Sequence, residues 1–378
     1  MYLISKRISI LDDLLNRVAD KLQLDQTRRD KVEKSYYDIC EWLEKDEIFF
    51  GNHELNIYAQ GSYRIGTTVK PKAKKEYDLD FVLEVDVDYR KYNPLFILKH
   101  LERRLKESDN YENKIELKKR CIGINYKDDY HIDIIPAAPK EYFKGIHIKI
   151  SDRKKIEWLE SSPKGYIQWF ESNYIKEQLI LEKAASIEKL PEKPSYNIIQ
   201  PLQRVVQLIK RHKDVYFKDL DDDYAPRSIV LTTLSGLFYN GEESENDSLK
   251  NILANIFNMI QKTSNPIVIE NPANSKEKFS DLWIEKPHLY KYFKSFIKSF
   301  HNNWIKLNLV DDITEKHKLL KQMFGEEVSI KVISEQTEYV NRLRKADLLN
   351  ISSIGTITTS NQQKFTNIKS TKFYGDVH

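Results

Sequence analysis

Cysteines are scarce in this sequence, and neither sign of charge dominates. The 378 residues include two cysteines, Cys40 and Cys121. They show no metal-ligand spacing and no disulfide framework, so a reducing compartment is favoured. The 61 Lys and Arg residues and the 57 Asp and Glu residues leave a net charge of +4. Bulk charge therefore does not indicate nucleic-acid binding, although a local basic groove stays open as an alternative.

Long apolar runs are also missing. The longest uncharged stretch, residues 228–241, is too short and too polar to span a bilayer. The first residues, MYLISKRISILDD, lack the apolar core of a signal peptide. The apolar fraction of 40% and the charged fraction of 31% are typical of a globular protein. We therefore expect a soluble cytoplasmic protein that is long enough to form two lobes.

The hydrophobic periodicity changes along the chain. It is helical within residues 8–45, becomes strand-like between residues 55 and 150, and is again mainly helical after about residue 151. The predicted elements of the middle region are a strand at 55–60, an amphipathic helix at 94–107, and strands at 113–126, 129–139 and 142–150.

An acidic strand carries the first functional signal. In residues 77–89 the odd positions are all apolar, whereas Asp78 and Asp80 fall on the other face, because a strand alternates with period 2. Carboxylates two residues apart on one face lie roughly 7 Å apart, and like charges that close repel unless a cation separates them. Mg²⁺ suits such a pair, since it is held by one or two carboxylates together with substrate phosphates.

A solvent-facing acidic edge is the simpler explanation of the same pattern. We expect it to hold for Glu84, Asp86 and Asp88 in any case. The nearby lysines either draw triphosphates towards the site or form a solvated loop. They are Lys70, Lys72, Lys74 and Lys75.

Two further features favour chemistry at this strand. Gly61 and Ser62 follow the first strand, where a glycine permits close approach of a phosphate and free amides and a hydroxyl donate to it. Asp133, in YHIDIIPAAP, shares a face with His131 and would complete a site for two metal ions. We expect His131 to neighbour the site without binding the ion, because Mg²⁺ prefers oxygen.

Taken together, these motifs resemble the nucleotidyltransferase superfamily with the DNA polymerase β-type fold. The longer segments QGSYRIGTTVKP, EYDLDFVLEV and HIDIIPA resemble the bacterial cGAS/DncV-like nucleotidyltransferases (CD-NTases). LQRVVQLIKRHKD, RSIVLTTL and NPANSKEKFSDLW resemble the helical lobe of that family. The resemblance covers about residues 10–310.

The resemblance implies an α+β fold, in which a mixed and largely antiparallel sheet with flanking helices faces a helical C-terminal lobe. It implies template-independent joining of nucleoside triphosphates, ATP among them, into a cyclic di- or trinucleotide. That product would activate a separate effector in bacterial anti-phage (CBASS-type) signalling. The expected division is a catalytic lobe with N-terminal helices at 1–190, a helical lobe at 191–345 and a flexible tail at 346–378. The proline-containing segment 188–197 supplies the boundary.

The resemblance also implies residue roles. Asp78, Asp80 and Asp133 match the catalytic and metal-binding carboxylates, which would hold two Mg²⁺ ions, or Mn²⁺ in their place. Gly61 and Ser62 match the phosphate-contacting motif.

Two residues of the helical lobe match positions that contact the donor triphosphate. Lys210 matches a lysine with this role, although Arg211 or Lys213 could fill it and a solvated helix charge is the simpler explanation. Ser228 matches a serine at the same triphosphate, and its simpler explanation is an N-cap.

Other functions stay open at this level. A linear nucleotidyltransferase acting on RNA or protein would use the same carboxylates but would need an acceptor groove. A non-catalytic nucleotide-binding protein of this fold has no need of three carboxylates placed for metal. The sequence does not reveal base choice, linkage, ring size, oligomeric state or a regulatory protein or nucleic-acid activator.

Overall fold

The protein is described here from a computed structural model. The described residues are 10–71, 76–126, 130–174 and 199–346, together with the backbone of 350–352, 357–358 and 365–367.

A seven-stranded sheet forms the centre of the first half of the chain. Five of its strands lie in the order β1-β2-β5-β4-β3, and β6 pairs with both β5 and β7. The strands are β1 (Leu55–Gln60), β2 (Tyr77–Val85), β3 (Ile115–Leu117), β4 (Ile122–Tyr126), β5 (Tyr130–Pro139), β6 (Ile148–Asp152) and β7 (Glu157–Ser161).

Strands β2 and β5 are parallel, whereas the other pairs in this sheet are antiparallel. The sheet is therefore mixed and largely antiparallel, as predicted. The parallel pair has a functional consequence, because it aligns two segments that the sequence places far apart.

Helices flank the sheet and make up most of the second half of the chain. They are α1 (Ile10–Lys21), α2 (Gln26–Glu44), α3 (Gly61–Arg64), α4 (Phe96–Lys106), α5 (Pro163–Ser172), α6 (Pro201–Tyr216), α7 (Ser228–Phe238), α8 (Glu245–Gln261), α9 (Leu282–Glu285), α10 (Pro287–Leu309), α11 (Ile313–Phe324) and α12 (Glu326–Lys345).

Two apolar cores hold these elements together. The odd positions of β2, including Leu79 and Phe81, pack with α2 and α4 on one face of the sheet. On the opposite face, Val82 and Ala137 join a larger core built mainly from the C-terminal helices. Burial of apolar surface on both faces fixes the strand register, since a slip of one residue would exchange the faces.

Helix α1 belongs to the larger core. Leu14 and Leu15 are fully buried in the same cluster as Phe296 and Phe300 of α10. The first helix of the chain therefore packs with the C-terminal helices, whereas α2 packs with the sheet.

Several predicted elements differ from the structure in their bounds. The strand predicted at 113–126 is a hairpin, in which Lys118 N donates to Cys121 O at 3.1 Å between β3 and β4. The strand predicted at 142–150 begins only at Ile148. Neither strand β7 nor helix α12 is predicted as a separate element. Helix α12 agrees with the mainly helical pattern expected after residue 151, whereas β7 does not.

The segments outside the described residues include several that the sequence singles out. They are the predicted boundary at 188–197, the turn at 127–129, and Lys72, Lys74 and Lys75. A small antiparallel sheet of three strands, Asn350–Ser352, Ile357–Thr358 and Phe365–Asn367, lies within the predicted flexible tail. None of the helices within the described ranges is long and apolar enough to cross a membrane.

Candidate active site

Strand β2 presents Asp78 and Asp80 on one face, as its alternation predicts. Tyr77, Leu79 and Phe81 are buried on the other face. The Asp78 side chain is 65% exposed, and Asp80 is half-buried. The two carboxylates therefore lie on the face of β2 opposite Leu79, called here the cleft face, and not in the core.

The parallel strand β5 brings the third carboxylate to the same place. Asp133 lies opposite Asp80 in the register, and His131 lies opposite Asp78. Side chains in register on neighbouring strands share a face of the sheet. The structure thus brings Asp78, Asp80 and Asp133 together.

Gly61 lies against this acidic face. Its φ is +62°, which disfavours residues with a side chain, and a Cβ there would lie 2.4 Å from Asp80 Oδ2. Both the conformation and the close approach require glycine. The glycine therefore lets the turn after β1 reach the carboxylates.

Ser62 follows in the short helix α3, and its hydroxyl is held locally. Ser62 Oγ lies 3.2 Å from Thr68 Oγ1, and Thr67 N donates to Ser62 O at 2.8 Å. The loop that follows α3 therefore folds back onto Ser62 and fixes it beside Gly61.

Two cationic side chains adjoin the carboxylates. Lys118 Nζ lies 2.8 Å from Asp133 Oδ1 and 3.0 Å from Asp133 Oδ2. His131 Nε2 pairs with Asp78 Oδ1, and its Nδ1 lies 3.3 Å from Glu76 Oε2. His131 thus contacts a carboxylate, in line with the prediction that it neighbours the site.

The pKa values follow from this crowding of charge. Desolvation, then repulsion from Asp133 and Asp78, raises the pKa of Asp80 to about 7. At Asp78, desolvation works towards a higher pKa, but the hydrogen bond and charge of His131 and the charges of Lys118 and Lys213 leave its pKa lowered. The hydrogen bond to Asp78 in turn raises the pKa of His131. At Asp80 the charges of Lys118 and His131 lower the pKa, but they are outweighed by desolvation and by the two neighbouring carboxylates.

Three carboxylates are the hard oxygen ligands that Mg²⁺ and Mn²⁺ prefer, and the raised pKa of Asp80 shows that the cluster accommodates a further positive charge. The residues therefore fit a divalent ion in their chemistry. Within the described residues, no group of three or more His, Cys, Asp or Glu side chains converges closely enough to enclose a metal ion as it stands. Asp133 is paired with Lys118 and Asp78 with His131. The metal role stays a prediction.

The helical lobe contributes a lysine and a serine that touch each other. Lys213 Nζ lies 3.0 Å from Ser228 Oγ. Ser228 is the first residue of α7, and the N-cap is Arg227 instead. The charge of Lys213 contributes to the lowered pKa of Asp78, so its electrostatic field reaches the carboxylates.

Lys210 has a different environment. It is 6% exposed, and its Nζ donates to both Thr67 O and Thr67 Oγ1 at 3.1 Å. Burial, and then the charge of Lys213, lowers the pKa of Lys210 to about 7. The side chain is therefore not a solvated helix charge, and the group it contacts is the loop after Ser62.

One expectation about the acidic strand is wrong. Glu84 is not solvated but fully buried, with Asn56 Nδ2 at 2.9 Å, Lys144 N at 3.1 Å and Lys164 Nζ at 3.4 Å from its carboxylate oxygens. Asp86 is exposed, as expected. The alternation of β2 places Glu84 on the cleft face correctly, but chain segments after β5 cover that end of the strand.

Sequence reasoning misses Lys118, Thr67 and Thr68 as parts of the site. Lys118 lies in the hairpin turn between β3 and β4, which the sequence shows as one continuous strand. Thr67 and Thr68 lie within the QGSYRIGTTVKP segment, but nothing in their spacing indicates which atoms they contact. These contacts depend on tertiary packing.

Comparison with known proteins shows which family the chain resembles. Residues 9–173 match the family described as the Second Messenger Oligonucleotide or Dinucleotide Synthetase (SMODS) domain. The chain is 38% identical to a c-di-GMP synthase of Roseivirga ehrenbergii over 379 aligned positions, covering 100% of both proteins. It is 25% identical to the cyclic dinucleotide synthase CdnG of Bradyrhizobium diazoefficiens, covering 73% of this chain and 70% of that protein.

The fold is also similar to a solved structure, the Bradyrhizobium diazoefficiens CD-NTase CdnG in complex with GTP. The TM-score is 0.71 at 21% identity, and the match covers 87% of this chain and 99% of that one. This likeness shows the fold, and the full-length relative at 38% identity shows the family. The chain therefore belongs to the bacterial cGAS/DncV-like nucleotidyltransferase (CD-NTase) family and is a nucleotidyltransferase that synthesises cyclic oligonucleotides.

Proposed function

We propose that this enzyme joins two molecules of GTP into cyclic di-GMP, using a divalent metal site formed by Asp78, Asp80 and Asp133. The full-length similarity to a c-di-GMP synthase supports the choice of base and product. The observation that carries the site assignment is the alignment of Asp80 with Asp133 across parallel strands, with Gly61 packed against Asp80.

Nucleoside triphosphates are substrates of this family, and its members are generally metal-dependent. When bound, divalent ions lower the pKa of a ribose hydroxyl and offset negative charge on the phosphates. The hard oxygen ligands available for two such ions are the carboxylates of Asp78, Asp80 and Asp133. Magnesium is the expected ion, with manganese as a substitute.

The remaining groups bind and orient the substrates. The Gly61 amide and the Ser62 hydroxyl donate to phosphate oxygens of the donor nucleotide, and Lys213 with Ser228 holds its triphosphate from the helical lobe. The carboxylate of Asp133 is one acceptor for the proton of the attacking ribose hydroxyl, and water is the other. These donors lie on both sides of the cleft, so they align the donor phosphate with the acceptor.

The cyclic product is proposed to act on a separate effector in anti-phage signalling, which is the setting implied by the family. A linear intermediate must leave its first position and bind again before the ring closes, because one site forms both bonds.

A product assay tests the proposed function. The purified protein is incubated with each labelled nucleoside triphosphate and with all four, plus Mg²⁺ or Mn²⁺, and the products are treated with phosphatase. With the label on the α-phosphate, a cyclic product keeps all of its label because it has no terminal phosphate. Unreacted nucleotide loses its label, and a linear product keeps only the label of its internal phosphodiester bonds, so the resistant products are then separated by chromatography. We expect resistant label from GTP alone.

Matched variants sharpen the assay. Asp78→Ala with Asp80→Ala should reduce the product by on the order of 10³-fold or more. Asp86→Ala, an exposed carboxylate just beyond the end of β2, should leave it unchanged. Equal activity in the double variant and the wild type would refute the metal-site assignment. A resistant product that co-migrates with linear GpG rather than with cyclic di-GMP would indicate a linear nucleotidyltransferase.

A further inference from the structure

Side chains on one face of helix α6 donate hydrogen bonds to the loop at residues 65–70, which follows α3. Gln203, Gln207, Lys210 and Arg211 lie at positions i, i+4, i+7 and i+8, which share a side of a helix. All four donate to residues between Ile65 and Lys70, the segment that follows the turn containing Gly61 and Ser62.

The bonds are made almost entirely to backbone carbonyls. Gln203 Nε2 lies 2.9 Å from Ile65 O, and Gln207 Nε2 lies 3.2 Å from Gly66 O and 3.1 Å from Thr68 O. Thr67 and Thr68 are buried, so these carbonyls would lack partners without the helix. The side chains of α6 therefore supply the hydrogen bonds that these carbonyls would receive from the backbone in a strand or a helix.

Lys210 and Arg211 complete the set. Lys210 Nζ lies 3.1 Å from both Thr67 O and Thr67 Oγ1, and Arg211 Nη2 lies 2.9 Å from Lys70 O. Both of these Lys210 contacts are therefore made to one threonine.

The same loop contacts Ser62 through two hydrogen bonds. Thr67 N donates to Ser62 O at 2.8 Å, and Thr68 Oγ1 lies 3.2 Å from Ser62 Oγ. Gly66 precedes Thr67 in the loop. Its φ is +69°, and a Cβ there would lie 2.5 Å from Gln203 Nε2. The close contact between helix and loop thus extends to the residue next to Thr67.

We propose that Lys210 is a positioning residue, which acts through Thr67 to hold Ser62 in place, and that Lys213 is the lysine of α6 that contacts the donor triphosphate. This inference rests on the proposed function in so far as Ser62 binds phosphate. The two lysines of this helix therefore have different roles: Lys210 binds the loop at Thr67, and Lys213 binds the triphosphate of the substrate.

The environments of the two lysines support this division. Lys210 is buried, and its hydrogen bonds to Thr67 compensate for the loss of solvent. Moving it to a triphosphate would leave Thr67 O without that partner in a buried loop. Lys213 is more exposed, at 17%, and its neighbours are the Ser228 hydroxyl and the Asp214 carboxylate at 3.6 Å.

Binding measurements without turnover provide the first test. The probes are GTP and GMP with Ca²⁺, titrated into the full chain and its variants, because only GTP carries the β- and γ-phosphates. Lys213→Met should reduce the preference for GTP over GMP by about tenfold or more. Lys210→Met should leave that preference within about threefold of wild type. A collapse of the preference in Lys210→Met, with none in Lys213→Met, would overturn the proposal.

Rescue by a neutral donor provides the second test. Lys210→Met should lower kcat by about 100-fold with a smaller change in KM, because a small misplacement of a binding group lowers the rate steeply. Lys210→Gln keeps a hydrogen-bond donor without charge and should recover most of that loss. An equal loss of kcat in both variants would overturn the proposal, since it would indicate that the charge is what matters.

A third readout needs neither nucleotide nor turnover. Lys210→Met should speed hydrogen exchange at the Thr67 amide, which donates to Ser62 O, while Lys213→Met should not. Thr67→Val removes only the Oγ1 acceptor, and its effect should be non-additive with that of Lys210→Met. Unchanged exchange together with strict additivity would refute the role of Lys210 while leaving the proposed nucleotidyltransferase function intact. If Lys210→Met fails to fold, Lys210→Gln and Thr67→Val carry the same tests.

Discussion

Lys118 Nζ lies 2.8 Å from Asp133 Oδ1, so the carboxylate proposed as the third metal ligand is already paired with a cation of the chain. Against the effect of desolvation, the hydrogen bond and charge of Asp133 raise the pKa of Lys118. A divalent ion bound at the proposed site would therefore compete with the lysine for the same oxygens. Lys118 belongs to the β3–β4 turn, so this contact can open without a change in the sheet.

Removing that competing cation should strengthen metal binding. We expect Lys118→Met to lower the Kd for Mn²⁺ by about tenfold, because the field at Asp133 becomes more negative. Calorimetric titration of Mn²⁺ measures this. The control is Lys119→Met, because Lys119 pairs with Asp152 at 3.2 Å instead and should leave the Kd unchanged. Weaker Mn²⁺ binding in Lys118→Met would show that the lysine supports the site rather than competing with the ion.

Metal binding should also depend on pH. The pKa of Asp80 is raised from 3.8 to about 7, so its carboxyl is protonated below that pH and must lose a proton to bind a cation. The affinity for Mn²⁺ should therefore fall by up to about tenfold for each pH unit below about 7 and level off above it. Titrations in buffers of different ionisation enthalpy would detect the released proton. A Kd that is constant between about pH 6 and pH 8 would contradict this.

Gly61 should tolerate no side chain. In Gly61→Ala the added Cβ meets Asp80 Oδ2 at 2.4 Å, and the positive φ of +62° adds strain of about 1–2 kcal/mol. We expect synthesis to drop by about 100-fold or more, because the turn must withdraw from the carboxylates. Gly241→Ala is the matched control: its φ is +81°, but nothing lies within 4 Å of the added Cβ. It should lose comparable stability and keep its activity. Equal activities in the two variants would remove the functional argument for Gly61.

Glu84 should act through stability rather than chemistry. It is buried with Lys164 Nζ at 3.4 Å and Asn56 Nδ2 at 2.9 Å. Glu84→Ala leaves that lysine charge without this carboxylate and should lower the free energy of unfolding by about 3–5 kcal/mol. Urea denaturation measures the change, and Asp86→Ala should alter it by less than about 0.5 kcal/mol. Similar unfolding midpoints for the two variants would mean that the buried pair is energetically unimportant.

The part of the site that could be predicted from the sequence is the part that local geometry controls. Period-2 alternation in β2 places Asp78 and Asp80 on the face opposite Leu79, and it does so whatever the rest of the fold is. The same rule assigns Glu84 to that face. It cannot show which segments cover the far end of the strand, so the burial of Glu84 was missed.

The two lysines of α6 illustrate a second limit. Lys210 and Lys213 are three residues apart on one helix, so periodicity gives both nearly the same direction. Only the packing of Thr67 against the helix and the position of Ser228 separate their contacts. The sequence also does not predict where β3 ends and β4 begins. The turn at Lys118 contains neither glycine nor proline, which are the residues that would indicate a turn.

The most direct test of the account is the mass of the product that this protein makes from GTP. After incubation with GTP and Mg²⁺ or Mn²⁺ and treatment with phosphatase, mass spectrometry should detect cyclic di-GMP from the wild type and from Asp86→Ala. Asp80→Asn and Asp133→Asn should yield none above background. Cyclic di-GMP from all four proteins at equal yield would contradict the three-carboxylate site, and linear GTP-derived products from the wild type would contradict the cyclic synthase proposed here.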